Sequence, residues 1–179
     1  ARRARELDSN SLIAFTDLSL AHYFALDFES AAECYDSALS LGPNFEMALV
    51  LGGWLGLGTN DPERALYYYK RLHEIAGPVP WSENLLSAAH ALAGRHEEAE
   101  HYHRRVTERH PQDFVPPFFH AVYHRCVGDH DTAVDWLEKA DHGRYGYIAF
   151  ICVEPVWDPL HSHPRFQEIC RRVKASKSS

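Results

Sequence analysis

The chain has 179 residues, of which 45% are hydrophobic and 24% are charged, as in an ordinary soluble globular protein. A formal net charge of −7 excludes a broad basic surface, so this segment is a poor candidate for stand-alone binding of nucleic acid. No apolar stretch approaches the roughly 18 residues of a membrane span, and the four cysteines form no CxxC pair, which favours reduced thiols. The sequence predicts a cytoplasmic segment, although the parent protein could be membrane-anchored.

Four similar segments follow one another along the chain: ESAAECYDSAL, PERALYYYKRL, HEEAEHYHRRV and HDTAVDWLEKA. Each segment contains one alanine of a series that is spaced by 34 residues without an insertion: Ala31, Ala65, Ala99 and Ala133. A small residue also recurs twelve positions before each alanine, at Ser19, Gly53, Ser87 and Ala121. A fixed period of this length predicts a repeated helix-turn-helix unit in which small residues let the two helices approach closely.

The ends of the predicted helices carry matching signals. Asp27, Asp61 and Asp129 share one repeat position, where a short carboxylate caps the second helix of the unit. Pro62 follows Asp61 at the first helical turn, which suits a residue without a backbone N–H. Second helices are predicted to end at the Gly-Pro pairs after Leu41 and Ala76, and at His110-Pro111.

The same register extends backwards to Ala4, which lies 34 residues before Ala38. Residues 1–11 therefore read as the end of an earlier repeat, so the chain begins within a repeat and without a starting methionine. We expect it to be part of a longer protein.

A 34-residue helix-turn-helix with this alanine, aromatic and proline pattern resembles the tetratricopeptide repeat. The resemblance implies an all-α fold, a tetratricopeptide-repeat superhelix or α-α solenoid with a C-terminal capping helix. A bulky residue is expected near the start of each first helix, but the third and fourth repeats have Glu83 and Pro117 there. We therefore expect these two repeats to begin irregularly. The predicted division is 1–11, end of a preceding repeat; 12–45, 46–79, 80–113 and 114–146, repeats one to four; and 147–179, capping segment.

In the resembled family, the first helices line a concave groove that binds partner peptides through fixed repeat positions. Carried over, these positions give Ile13, Leu20, Tyr23, Phe24, Met47, Val50, Trp54, Leu57, Trp81, Asn84, Ala88, Leu92, Val115, Phe118, Val122 and Arg125. Within this set, the predicted partner-binding residues are Tyr23, Met47, Val50, Trp54, Trp81, Asn84, Phe118, Val122 and Arg125. The groove could receive an apolar helix or an extended segment. Alternatively, its aromatic residues pack between helices or against the chain's own terminus.

The thirteen histidines raise the question of a metal site. His96 and His101 are five residues apart, so their side chains point about 140° apart on a helix and cannot share a metal ion. His120 and His124 do share a helix face, but the sequence indicates no third ligand. His22, His90 and His124 recur at one repeat position, which favours a packing role with a hydrogen-bonded ring. A pH-sensitive array is the alternative.

The sequence contains no G-x-S-x-G motif and no phosphate-binding glycine loop, and His124 and Cys126 point about 200° apart on a helix. We therefore predict a protein that is not an enzyme, with no catalytic residue, no metal site and no cofactor.

The C-terminal segment from Val115 resembles the terminal repeat and tail of bacterial multidomain regulators, which link such arrays to winged-helix, adenylate-cyclase or Ser/Thr-kinase domains. The most specific part is WDPLHSHPRFQ at 157–167, although His161 and His163 depart from the usual tail. Trp157, Leu160 and Phe166 are predicted as buried contacts of a cap, and a turn is expected to start at Asp158-Pro159. Pro164 is predicted to begin a last helix whose apolar stripe contains Phe166, Ile169, Cys170 and Val173.

The resemblance implies a non-catalytic protein-protein interaction module, the docking or sensing part of a larger bacterial signalling protein or transcription regulator. The expected partner is a protein or peptide, with neither nucleic acid nor membrane bound by this segment. Self-association, as a homodimer or an intramolecular latch, is the alternative, and a histidine-dependent metal-binding protein is a more distant one.

Overall fold

A computed structural model describes residues 11–109, 115–143 and 146–176. Within these ranges the chain forms helices and turns and no strand, so the expected all-α class is confirmed. The fold divides into two compact units, Ala1–Pro78 and Val79–Ser179. The predicted end of an earlier repeat at 1–11 lies outside the described residues except for Ser11, as does the predicted helix end at His110-Pro111.

The first unit contains two pairs of helices, with each helix packed against the next along the chain. Their bounds are α1 Leu12–Phe24, α2 Phe28–Leu41, α3 Glu46–Gly58 and α4 Pro62–Ala76. The helices of a pair approach closely at small residues: the buried Ser19 hydroxyl of α1 donates a hydrogen bond of 2.7 Å to the carbonyl oxygen of Ala31 in α2. Tyr68 on α4 donates a 3.0 Å hydrogen bond to the Asp36 carboxylate on α2, which ties the two pairs together.

The second unit begins with α5 Pro80–Leu92 and α6 His96–Arg104, which continues as a π-helical turn at Arg105–Arg109. α7 Pro117–Val127 and α8 His130–His142 form the next pair, and α5 packs against both α6 and α7. Two 3-10 helices follow, Gly146–Phe150 and Pro155–Leu160, and α9 Pro164–Ser176 ends the described chain. Pro155 begins the second 3-10 helix, and the turn predicted to start at Asp158-Pro159 lies at its end, where the His161 N–H donates a 3.1 Å hydrogen bond to the Asp158 carbonyl oxygen.

The small residues that recur every 34 positions in the sequence are all buried in the structure. The recurring alanines Ala31, Ala65, Ala99 and Ala133 are each at most 1% exposed. Ser19, Gly53, Ser87 and Ala121, at the facing position of the first helices, are buried as well. Each helix pair therefore closes around the small residues that the sequence pattern indicates.

The aspartates predicted as caps do cap their helices. The side chains of Asp27, Asp61 and Asp129 accept hydrogen bonds of 3.3, 3.0 and 3.1 Å from the backbone N–H groups three residues later. Hydrogen bonds from Ser30, through its side chain and its backbone, lower the pKa of Asp27, and those from Thr132 lower the pKa of Asp129. At the equivalent position of the third repeat stands Arg95, which makes no side-chain cap.

The turn inside each helix pair is also repeated. The backbone N–H of the capping residue donates to a carbonyl oxygen five residues earlier at 2.8–3.0 Å in all four pairs. One residue before the cap, φ is positive in each case: Leu26 (59°), Asn60 (56°), Gly94 (69°) and Gly128 (83°). Glycine adopts this backbone freely, whereas Leu26 does so with steric strain.

The expectation that the third and fourth repeats begin irregularly holds for the fourth only. α7 begins at Pro117, three residues into its predicted repeat, but α5 begins at Pro80, the first residue of its own. The irregularity of the third repeat lies in its second helix, where the α-helix gives way to the π-helical turn at Arg105. The unusual residue Glu83 at the start of the third repeat contacts this π-helical turn. Glu83 is fully buried, and the Arg105 guanidinium lies 2.6 Å from its carboxylate.

The C-terminal segment is seated by buried apolar side chains. The predicted burial of Trp157, Leu160 and Phe166 is confirmed, since each is at most 1% exposed. In α9, Ile169 and Val173 extend the same stripe, and the helix packs against α8. Arg165 and Arg172 add exposed ion pairs to acidic side chains of α8.

Candidate protein-binding face

The predicted groove residues lie on the first helix of each pair, α1, α3, α5 and α7, and differ widely in accessibility. In the first unit, Met47 is 53% exposed, Val50 is half-buried, and Tyr23 and Trp54 are buried. In the second unit, Trp81 is half-buried, whereas Asn84, Phe118, Val122 and Arg125 are buried. A partner molecule therefore has direct access to only a few of these side chains.

The accessible part lies in the first unit. Ile13 on α1 and Met47 on α3 are 65% and 53% exposed, and they occupy equivalent positions one repeat apart. α1 and α3 pack against each other, and Val50 lies one turn after Met47. Ile13, Met47 and Val50 are called the apolar face below. A group of exposed apolar side chains on neighbouring helices is a candidate surface for binding another protein.

Tyr23 contributes to the core under this face and not to its surface. Its ring is 1% exposed and packs against Phe24 and Phe28, with ring centroids 5.5 and 6.1 Å away. Gly58 on α3 allows this position, because a Cβ there would come within 2.6 Å of the Tyr23 hydroxyl. The interpretation of Tyr23 as packing between helices thus has direct support.

In the second unit, the chain's own C-terminal segment covers part of the predicted groove. The ring of Phe118 on α7 meets that of Trp157 edge-on, with centroids 5.2 Å apart. The Trp157 indole N–H donates a 3.2 Å hydrogen bond to the Glu154 carboxylate in the same buried region. Phe118 is 3% exposed as a result, so this contact agrees with packing against the chain's own terminus.

Several polar groups are buried in the second unit. The carboxylate of Glu83 and the amide of Asn84 are 0% exposed, and Arg125 is 7% exposed. Arg105 lies at ion-pair distance from Glu83, but among the described residues neither carboxylate oxygen of Glu83 and neither amide atom of Asn84 has a hydrogen-bond partner. The Glu83–Arg105 pair was missed from the sequence, where the only signal was a carboxylate at a position expected to be bulky and apolar.

Histidines from two helices form a stack in the second unit. The His103 ring of α6 lies parallel to Tyr123 at 3.8 Å and edge-on to His120 and His124 at 6.1 and 5.5 Å. His120 stacks in turn on Trp136 of α8 at 4.4 Å. His120 and His124 were recognised as sharing a face, but His103 was missed because it belongs to a different helix. We call these three histidines the histidine stack.

The environment keeps the histidine stack neutral near neutral pH. Burial, with the neighbouring histidines, lowers the pKa of His103 to about 4. Burial and the charges of His124 and Lys139 likewise lower the pKa of His120 to about 4. The pKa of His124 is lowered mainly by burial, which outweighs the attraction of Asp129, 3.6 Å from its Nδ1.

Of the histidines that recur at one repeat position, His22 has the hydrogen-bonded ring that the position predicts. His22 Nδ1 lies 3.0 Å from the carboxylate of the capping residue Asp27, and His124 has the equivalent contact to Asp129. Where Arg95 replaces the aspartate in the third repeat, His90 stacks on Tyr102 instead. The ring at this repeat position thus contacts the second helix of its pair or the cap of that helix.

Within the described ranges, no three histidine, cysteine, aspartate or glutamate side chains are arranged to hold a metal ion. The same ranges contain no helix that is both long and apolar enough to span a membrane. Comparison with known protein families finds none that matches the chain, and no curated protein matches it either.

Proposed function

We propose that the chain is a tetratricopeptide-repeat array, an α-α solenoid with a C-terminal capping segment, and that it serves as a non-catalytic protein-protein interaction module. The repeat assignment is supported by the 34-residue period, which recurs in the sequence, in the buried alanines and in the turn hydrogen bonds. Arrays of this kind act through the surfaces that their first helices present.

The observation that carries the binding role is the apolar face. Ile13 and Met47 are more than half exposed although they stand at equivalent positions on two packed first helices. An exposed apolar pair costs solubility and adds nothing to the core of the isolated unit, which favours a role in recognition. The ligand expected for this face is an apolar helix or extended peptide segment, with Val50 at the edge of the contact.

Site-specific photo-crosslinking in cells of the source organism tests this role. A photoreactive amino acid at Met47 is expected to give a discrete adduct with a second polypeptide. The matched control places the same amino acid at Glu33, an exposed position on α2. A Met47 adduct that Ile13→Glu abolishes supports the proposal, whereas no adduct, or equal adducts from both positions, contradicts it.

We further propose that the array is the docking or sensing part of a larger bacterial regulator in the cytoplasm. The support is the resemblance of residues 115–173 to the terminal repeat and tail of such proteins. The full coding sequence tests this directly: a winged-helix, adenylate-cyclase or kinase domain encoded ahead of residue 1 supports the assignment, and the absence of any effector domain contradicts it.

The intramolecular form of self-association is a second candidate, favoured by the contact between Phe118 and Trp157. In this alternative, the C-terminal segment occupies the α7 part of the groove as a latch. Displacing it would expose Phe118 and Val122 for another ligand. Trp157→Ala should then increase binding of a hydrophobic dye without loss of helicity, whereas loss of the folded second unit would mean that the contact is purely structural.

A further inference from the structure

Cys152 and Cys170 are brought together by the fold, although 18 positions separate them in the sequence. Cys152 lies in the turn between the two 3-10 helices, and Cys170 lies on α9. Both line one open cavity of about 240 Å³ in the second unit, and burial together with the nearby Cys152 raises the pKa of the Cys170 thiol. Neither cysteine is fully buried, so small molecules can reach this cavity from solvent.

The other two cysteines have different surroundings. Cys34 is buried in α2 of the first unit, and the Cys126 thiol lies beside Arg125 on α7 with its pKa raised by burial. Neither of them lines the cavity that holds Cys152 and Cys170. The chain therefore contains its own internal control for reactions that require two adjacent, accessible thiols.

We propose that Cys152 and Cys170 are a redox-active dithiol that glutathione disulfide, an anionic small disulfide, converts to an intramolecular disulfide. Arg171 and Lys174 line the same cavity, and their positive charges suit the carboxylates of glutathione. Arg171 also pairs with Glu168 of the same helix.

The oxidation takes two steps of thiol–disulfide exchange. Burial and the neighbouring Cys152 raise the pKa of Cys170, which favours Cys152 as the first to attack. The Cys152 sulfur bonds to one glutathione sulfur, the S–S bond of the oxidant breaks, and one glutathione leaves with the Cys152 proton. The Cys170 sulfur then bonds to Cys152 and displaces the second glutathione, which takes the Cys170 proton. Two protein thiols and one glutathione disulfide thus yield one protein disulfide and two glutathione thiols.

Oxidation would fasten α9 to the turn before the second 3-10 helix. The bond closes a loop that contains both the buried Trp157 and the buried Phe166. Because it restricts the unfolded chain, the disulfide should raise the Tm of the second unit by about 5–10 °C. Val153, the residue after Cys152 in the same turn, is 61% exposed. A disulfide at Cys152 would therefore also restrict the position of this surface side chain.

The test treats the whole folded chain with glutathione disulfide at pH 8 and follows intact mass, with tryptic mapping of the products. A loss of two hydrogens, mapped to a Cys152–Cys170 crosslink and reversed by dithiothreitol, is the expected result. Cys170→Ser should stop at a stable adduct of one glutathione on Cys152, and Cys152→Ser should react at least tenfold more slowly at Cys170. The control Cys34→Ser/Cys126→Ser should form the crosslink at the rate of the unaltered chain.

Three outcomes would overturn the proposal. The first is adduct formation at Cys34 or Cys126 in preference to the pair. The second is crosslinking that occurs only after unfolding in urea, and the third is a stable glutathione adduct on unaltered Cys152 that Cys170 never resolves. Mapping on the unaltered chain decides among these results even if a serine variant folds poorly.

Discussion

The guanidinium of Arg105 lies 2.6 Å from the carboxylate of Glu83, whose side chain has no exposure to solvent, whereas that of Arg105 is 26% exposed. This pair links the start of α5 to the π-helical turn that ends α6. A carboxylate at that depth must be balanced by its partner, because an unpaired buried charge is costly. The deviation from the repeat pattern at position 83 and the deviation from α-helical geometry at position 105 therefore meet in one contact.

Removing one member of this pair should be more harmful than removing both. Arg105→Met leaves the Glu83 charge buried without a partner and should lower the free energy of unfolding by about 3–5 kcal/mol. The double variant Glu83→Leu/Arg105→Met restores the bulky apolar residue that the repeat pattern calls for, and it should recover most of that loss. Urea unfolding of the two single variants and the double variant measures the coupling. Additive effects of the two substitutions would show that the pair is energetically unimportant.

Positions 26 and 94 are equivalent in the repeat, and both have a positive φ. Introducing glycine at position 26 and removing glycine at position 94 should therefore change the stability in opposite directions. Gly94→Ala should destabilise by about 1 kcal/mol through backbone strain alone, because a Cβ at Gly94 meets no atom within 4 Å. Leu26 has the same backbone and is 61% exposed, so Leu26→Gly should relieve strain and stabilise by about 0.5–1 kcal/mol.

Leu26→Ala is the matched control, since it removes the side chain and keeps the strain. It should leave the free energy of unfolding within about 0.5 kcal/mol of that of the unaltered chain. Thermal unfolding of the three variants measures the effect. Equal stabilisation by alanine and glycine at position 26 would point to the exposed leucine side chain and not to the backbone.

Acid should destabilise the second unit through the histidine stack. The pKa values of His103 and His120 are about 4 in the folded chain, below the ordinary value of 6.5 expected after unfolding. Between these values the unfolded state binds more protons than the folded one, so stability is complete above about pH 6.5 and falls as the pH drops towards 4. The groups that face the stack are Lys139 beside His120 and Asp129 beside His124.

His103→Phe keeps an aromatic ring against Tyr123 and removes one titrating group. Its free energy of unfolding should fall less between pH 7.5 and pH 5 than that of the unaltered chain, as measured by urea titration at each pH. His101→Phe, on the exposed side of the same helix, is the matched control and should preserve the original pH dependence. An unchanged pH dependence in His103→Phe would mean that other groups cause the acid sensitivity.

The helix pairs and their caps were predictable because local chemistry determines them. Asp27, Asp61 and Asp129 cap their helices by hydrogen bonds that span three residues, and the alanines pack at a fixed spacing. The π-helical turn at Arg105 was not predictable, because it accompanies a contact with a residue 22 positions earlier. Local propensity carries no information about such a pair.

The candidate site was less predictable than the fold. Repeat positions identify which residues lie on the first helices. They do not show which of these residues are covered by other parts of the chain. Met47 stays exposed, whereas Phe118 meets Trp157 from the C-terminal segment. The histidine stack and the two neighbouring thiols were missed for the same reason, since each joins residues of different elements. In stretch 157–166, by contrast, Pro164 correctly indicated a helix start, and the burial of Trp157, Leu160 and Phe166 was correctly predicted.

The docking of α9 provides a comparison of apolar and ionic contacts on one helix. Ile169 is 0% exposed within the stripe against α8, so Ile169→Ala should lower the free energy of unfolding by about 2–4 kcal/mol. Arg171 is on the opposite face, where its side chain is 71% exposed and pairs only with Glu168 of the same helix among the described residues. Arg171→Ala should be within about 0.5 kcal/mol of the unaltered chain, because exposed pairs of this kind contribute little. Guanidinium unfolding followed by tryptophan fluorescence measures both variants, and a larger loss for Arg171→Ala than for Ile169→Ala would show that ionic contacts hold the helix in place.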